Sequence, residues 1–156
     1  MSKTPEADDA YTSYVLDSFP AAAIRFVRAL ERNRELIASD YGVSASELSA
    51  LFHIAEVTST TPKELAHHLQ MTTGAITAIA SRLVSADLIH RVDHPSDRRS
   101  LYLQLTPQGH DVMTRIHSEF RAMIAASTTG LTAGQIADFE VSLRTVSEQI
   151  AERTVR

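Results

Sequence analysis

From Ser18 onward the chain takes up a helical period. Phe19, Ala23, Phe26, Leu30 and Ile37 fall at i, i+4, i+7, i+11 and i+18 on one face, while Arg25, Arg28, Glu31, Arg32 and Glu35 hold the other. Gly42 predicts the end of this helix, because glycine commonly stands just past a helix C-terminus. Ser44-Ala45-Ser46-Glu47 has capping-box spacing and opens a second helix, with Leu48, Leu51, Phe52 and Ala55 on one side. Thr58-Ser59-Thr60 is a short β-prone connector. Thr61-Pro62-Lys63-Glu64 then stacks three start signals, with Thr at N-cap, Pro at N1 and Glu at N3. The helix that follows is short, and buries Leu65, Ala66 and Leu69. Met71-Thr72-Thr73-Gly74 breaks the pattern before another helix that turns Ile76, Ile79, Ala80 and Leu83 inward. Two short helices joined by a few polar residues have the proportions of a helix-turn-helix, whose second helix can enter a DNA major groove.

After Asp87 the period falls from 3.6 to 2. Leu88 to Val92 reads as a strand, and Leu101, Leu103 and Leu105 alternate with Tyr102 and Gln104 as a second. Between them lies Asp93-His94-Pro95-Ser96-Asp97-Arg98-Arg99, a charged turn, so the pair forms a wing. Thr106-Pro107 caps a long helix with Val112, Met113, Ile116, Phe120, Met123 and Ile124 on its apolar side, and Gly130 breaks it. Thr132-Ala133-Gly134-Gln135 is a further capping box. Ile136, Phe139, Leu143, Val146 and Ile150 then repeat at 3-4 spacing.

Composition narrows the function. The 156 residues favour one domain, and a charge of −4 excludes a polycation held on nucleic acid by bulk charge. Residues 61–110 nevertheless carry five Lys and Arg against four acids, while residues 1–60 carry five against nine. The acid therefore sits away from the helix-turn-helix. With no cysteine, disulfides, thiolate metal sites and thiol sensing are excluded. The polar, acidic start lacks a secretory signal, and no run approaches the ~20 apolar residues of a membrane span. The chain thus reads as soluble and cytoplasmic. Gly-rich phosphate loops, nucleophile elbows and HExxH spacing are all missing, so the chain is not read as an enzyme and no cofactor or metal is expected. His110 and His117 lie about 10.5 Å apart along one helix, too far to share an ion directly. The histidines are read as surface or capping groups.

The stretch Ser81-Arg82-Leu83-Val84-Ser85-Ala86-Asp87-Leu88-Ile89-His90-Arg91 continues through Asp97-Arg98-Arg99 to Leu105-Thr106-Pro107-Gln108-Gly109. With its Arg-Leu helix end, strand ending in Arg, D-x-R wing tip and L-T-x-x-G helix start, the sequence resembles the MarR (multiple antibiotic resistance regulator) family of winged-helix transcription factors, from about Phe19 to Arg153. The resemblance implies a homodimer on a pseudo-palindromic operator, often released by a small ligand. Two departures stand out. Asp87 replaces the usual Gly of the turn, where Asp tolerates the left-handed conformation better than most residues. Ala78 replaces an Arg that many members carry after the helix Thr, here Thr77.

The fold expected is mainly α (α+β): a winged helix-turn-helix at about 44–105 with a two-stranded wing. Long dimerisation helices at about 18–41 and 106–153 flank it in a single domain, 16–156, behind a flexible arm, 1–15. For DNA, Thr72 caps the recognition helix, and Thr73, Thr77 and Ser81 line its polar face at i, i+4 and i+8. Arg82 reaches either phosphate or a structural salt bridge, and Lys63 sits near the backbone. The family pattern sends Arg99 into the minor groove with Asp97 fixing the wing, and puts Arg98 on phosphate or in a pairing with other helices. The resemblance also places an effector pocket, for a small aromatic or amphipathic ligand, near Phe26, Phe52, His53, Met113 and His117, each of which also suits core packing. The function expected is a sequence-specific regulator, a repressor rather than an activator, whose partners are double-stranded DNA and a second copy of itself. The alternative is a small-ligand or metal-binding helical dimer with weakened DNA binding.

Overall fold

The computed structural model describes residues 16–93 and 100–154. The arm read over 1–15 and the wing-tip residues Asp97, Arg98 and Arg99 lie outside the described residues. Among the described residues, six helices and one hairpin follow in order: α1 Ser18–Asp40, α2 Ala45–Val57, α3 Pro62–His68, α4 Thr73–Ser85, β1 Ile89–Asp93, β2 Leu101–Leu105, α5 Pro107–Ser127 and α6 Ala133–Thr154. Two compact units divide the chain, one through His110 and one from Asp111. No described helix is long and apolar enough to cross a membrane.

In the first unit α2 packs on α1, α4 and β2, while α3 packs on α4 and β2, and α4 on β1. Five of these elements give the centre fully buried aliphatic side chains: Leu48, Leu51 and Ile54 from α2, Leu65 from α3, Ile76 and Leu83 from α4, Ile89 from β1 and Leu103 from β2. The α2 face is turned slightly from the expected one. Ile54 and Ala50 are buried, whereas Phe52 and Ala55 are only half-buried. Leu69, expected inside, is half-buried because it is the C-cap of α3. The hairpin is antiparallel, with Ile89 opposite Leu105 and Arg91 opposite Leu103. Thr60 adds a bridge to Leu103 through paired backbone bonds of 3.2 and 2.8 Å, so the β-prone connector becomes a third rung of the sheet.

Helix starts follow the sequence closely. Ser44 and Glu47, Thr61 and Glu64, and Thr132 and Gln135 each exchange side chain for backbone amide, as capping boxes do. Three helix ends share one device, in which the residue after the C-cap turns left-handed and two amides reach back to free carbonyls. Gly42 does this after α1, with φ of +67°. Gln70 does it after α3, with φ of +52°, and Asp87 does it after α4, with φ of +55°. The amides of Asp87 and Leu88 bond to the carbonyls of Val84 and Leu83 at 3.0 Å each. Asp87 therefore occupies the turn in the conformation its place demands.

A second lock closes on the same turn from the start of α5. The Thr106 hydroxyl donates to the Asp87 carbonyl at 2.5 Å and accepts from the Gly109 amide at 2.9 Å. The Thr106 amide donates to the Leu88 carbonyl at 3.1 Å. Gly109 must be glycine, since a Cβ there would lie 2.0 Å from the Leu88 carbonyl oxygen. On α5 Val112, Met113 and Ile116 are buried, but α6 buries nothing within the single chain.

Gly109→Ala should lower unfolding free energy by at least about 2 kcal/mol, because backbone rather than a flexible side chain must move. Gly74→Ala, on open helix surface with nothing within 4 Å of its Cβ, should be neutral or stabilising by up to about 1 kcal/mol. Urea denaturation of the two variants beside the wild type checks the contrast.

Candidate nucleic-acid interface

The second helix of the helix-turn-helix is α4, and its two sides differ sharply. Ile76, Ile79, Ala80 and Leu83 are buried, while Thr72, Thr73, Gly74, Thr77, Ala78 and Ser81 are exposed. The Thr72 hydroxyl accepts from the Ala75 amide at 3.2 Å, which satisfies one of the free amides of the first turn. The Thr77 hydroxyl donates to the Thr73 carbonyl at 2.9 Å, which leaves the oxygen of this exposed residue with acceptor capacity. Ser81 accepts at 3.3 Å from Nη2 of Arg91, which comes from β1. Lys63 is exposed on the first turn of α3.

Between its two expected roles, Arg82 takes the structural one here. Its Nε donates to Oε1 of Glu47, a buried carboxylate on α2. Oε2 of the same carboxylate accepts from the Ser44 amide at 2.7 Å. One side chain thus caps α2 and grips the last turn of α4. Burial pushes the Glu47 carboxyl up, but the bonds from Ser44 and Arg82 more than offset this and hold it below the ordinary carboxylate range. Sequence could not pair these residues, which lie 35 positions apart.

The residues expected around an effector divide between the units. Phe26, Phe52 and His53 belong to the first, and Met113 and His117 to the second. Phe26 is exposed, Phe52 and His53 are half-buried, and Met113 is buried. His117 lines an open cleft of about 430 Å³ with Thr114, Phe120 and Arg121. His53 has a neighbour that no sequence pattern announces. Its ring stacks on His68 of α3, with centroids 3.8 Å apart and planes 24° from parallel. Its Nδ1 is buried without a hydrogen-bond partner among the described residues. Burial, then the nearby His68, pushes the His53 imidazole below the ordinary histidine value, and Glu56 and Glu64 pull weakly the other way. Among the described residues no group of three or more His, Asp and Glu side chains is arranged to hold a metal ion.

These two groups act on stability in different pH windows but with one sign. His53 binds its proton more readily unfolded than folded, so stability should fall as pH drops below about 6.5. His53→Gln should flatten that part of the profile. Glu47 contributes fully above about pH 4.5, and its contribution is lost as pH falls through its lowered folded value. Glu47→Gln should narrow its deficit against the wild type in that lower range. Urea midpoints measured from pH 7.5 to 3.5 check both; a wild-type profile flat from 7.5 to 5.5 would contradict the assignment of His53.

Residues 43–101 match the family model described as the MarR family. The chain is similar to the multiple antibiotic resistance protein MarR of Salmonella typhimurium, 25% identical over 127 residues that cover 78% of this chain and 88% of that one. It is 22% identical over 133 residues to YsmB of Bacillus subtilis, named as an uncharacterized HTH-type transcriptional regulator, with 84% and 90% of the two chains covered. It is also similar to the crystal structure of a mutant MarR from Escherichia coli complexed with operator DNA, at a TM-score of 0.62 and 27% identity, covering 82% of this chain and 94% of that one. Residues 43–101 thus match the MarR family model, and the chain is similar to MarR over most of its length.

Proposed function

We propose that this protein is a dimeric transcription regulator, acting as a repressor, that reads a pseudo-palindromic operator with α4 in the major groove. The observation that carries the reading is the division of α4 itself. One face is locked into the core, and the other offers an exposed row of short hydroxyl and methyl groups suited to base edges and phosphates. The similar E. coli protein is complexed with operator DNA, which supports a DNA-binding reading of this chain. Thr72, Thr73, Thr77 and Ser81 are the proposed contacts on the helix, with Lys63 beside the backbone. Asp97, Arg98 and Arg99 are proposed as the wing contacts on the strength of the D-x-R pattern.

A second copy is proposed as the cover for the terminal helices. On α1, Phe19 is 66% and Leu36 61% exposed, and on α6 Phe139 is 48% and Ile150 61% exposed. Apolar stripes of this kind are rarely left in water. A two-fold dimer would set two α4 helices about 34–36 Å apart, one turn of DNA. Release by a small aromatic or amphipathic ligand is the proposed control, and the cleft at His117 and Phe120 has a size suited to such a molecule.

Selection from random duplexes should yield a palindromic site, bound far more tightly than mixed sequence. On that site Arg99→Ala should weaken binding at least about tenfold in a gel-shift titration, with the sedimentation of the dimer unchanged. Equal affinity of variant and wild type would remove the wing from the reading.

A further inference from the structure

The recognition helix carries no free cation of its own. Between Thr73 and Ser85 its single charged residue is Arg82, and that guanidinium stands on Glu47. A helix laid in the major groove has phosphates along both rims, and most protein–DNA hydrogen bonds go to the backbone. The exposed row of Thr73, Thr77, Ala78 and Ser81 supplies hydroxyls and a methyl group but no charge.

Strand parity brings a cation from elsewhere. On β1 Arg91 shares its side of the sheet with Ile89, which is buried, and stands opposite Leu103, which is fully buried. Its side chain therefore leaves the sheet toward the helices rather than away from them. It reaches the exposed face of α4, where Nη2 donates to Ser81 Oγ at 3.3 Å. Ala78, one turn before Ser81, leaves that face low. The guanidinium also lies by the C-terminal half of α4, where the helix dipole favours positive charge. Arg91 itself remains exposed, and it forms no ion pair with any described residue.

We propose that Arg91 is the phosphate-binding cation of the recognition helix, parked on Ser81 in the free protein, and that Arg82 is a positioning residue that holds α4 through Glu47. The proposal rests on the DNA-binding reading above and adds a specific division of labour between two arginines nine positions apart. Among the described residues a single hydrogen bond, to a neutral hydroxyl, holds Arg91 in place. Exchanging it for a phosphate oxygen replaces a neutral acceptor with a charged one, and such bonds are about twice as strong.

The test is the salt dependence of DNA affinity for the full chain, by fluorescence anisotropy on the selected duplex and on a mixed-sequence duplex. Loss of one phosphate contact should reduce the slope of log K against log salt by about 0.9 per bound protomer. Arg91→Gln should show that reduction on both duplexes, with affinity down about tenfold at moderate salt and the urea midpoint unchanged. Arg91→Lys should restore the slope. Arg82→Gln should lower the urea midpoint while keeping the wild-type slope, and Ser81→Ala should keep it too. A wild-type slope in Arg91→Gln, or a reduced slope confined to Arg82→Gln, overturns the assignment of Arg91. If the wild type binds neither duplex in a salt-dependent way, the DNA-binding reading itself fails, and the assignment with it.

Discussion

The geometry of the first unit depends on the few atoms where α4 ends and the hairpin begins. Asp87 turns left-handed there, and its carbonyl and that of Leu88 both point at Thr106. The chain returning from β2 can come this close only because Gly109 has no side chain. One threonine therefore caps α5, closes the turn and fixes the direction in which the hairpin leaves α4. The L-T-x-x-G signature is the sequence form of this constraint. Its threonine makes two hydrogen bonds through the hydroxyl and one through the amide, and its glycine supplies the space for them.

Magnitudes separate what folds the unit from what aims it. Each fully buried Leu or Ile contributes about 1.5–3 kcal/mol, so the eight that converge from α2, α3, α4 and the strands dominate cohesion. Caps and half-exposed ion pairs contribute about 1 kcal/mol or less apiece. Yet an apolar face tolerates small rotations, whereas the Glu47 carboxylate and the Thr106 hydroxyl do not. Glu47 ties the end of α4 to the start of α2, and Thr106 ties it to the start of α5. The burial of one helix face and the aiming of the other are thus done by different residues.

Much of this was legible in the chain because local rules decided it. The capping boxes at Ser44, Thr61 and Thr132 lie within four residues, and the structure follows them. The change of period after Asp87 marked the hairpin, and the left-handed tolerance of Asp marked its turn. What stayed hidden is long-range or rests on a residue with no strong preference. Gln70 is an unremarkable side chain for a left-handed turn, so the end of α3 showed only as a break in pattern. The pairs Glu47–Arg82, His53–His68 and Ser81–Arg91 need the fold before they can be seen. The exposed faces of α1 and α6 were legible as stripes, and the single chain leaves them uncovered.

The central claim is that the outward face of α4 meets DNA while its inward face stays fixed. Amide hydrogen exchange of the full chain, with and without the selected duplex, addresses it residue by residue. The early amides of α4, from Thr73 to Ala75, begin with few partners inside the helix. The account predicts that the duplex slows their exchange, with the inner turn around Ile79 and Leu83 slow in both states. Exchange at Thr73 to Ala75 that is unchanged by a bound duplex, while other exposed segments become protected, would contradict it.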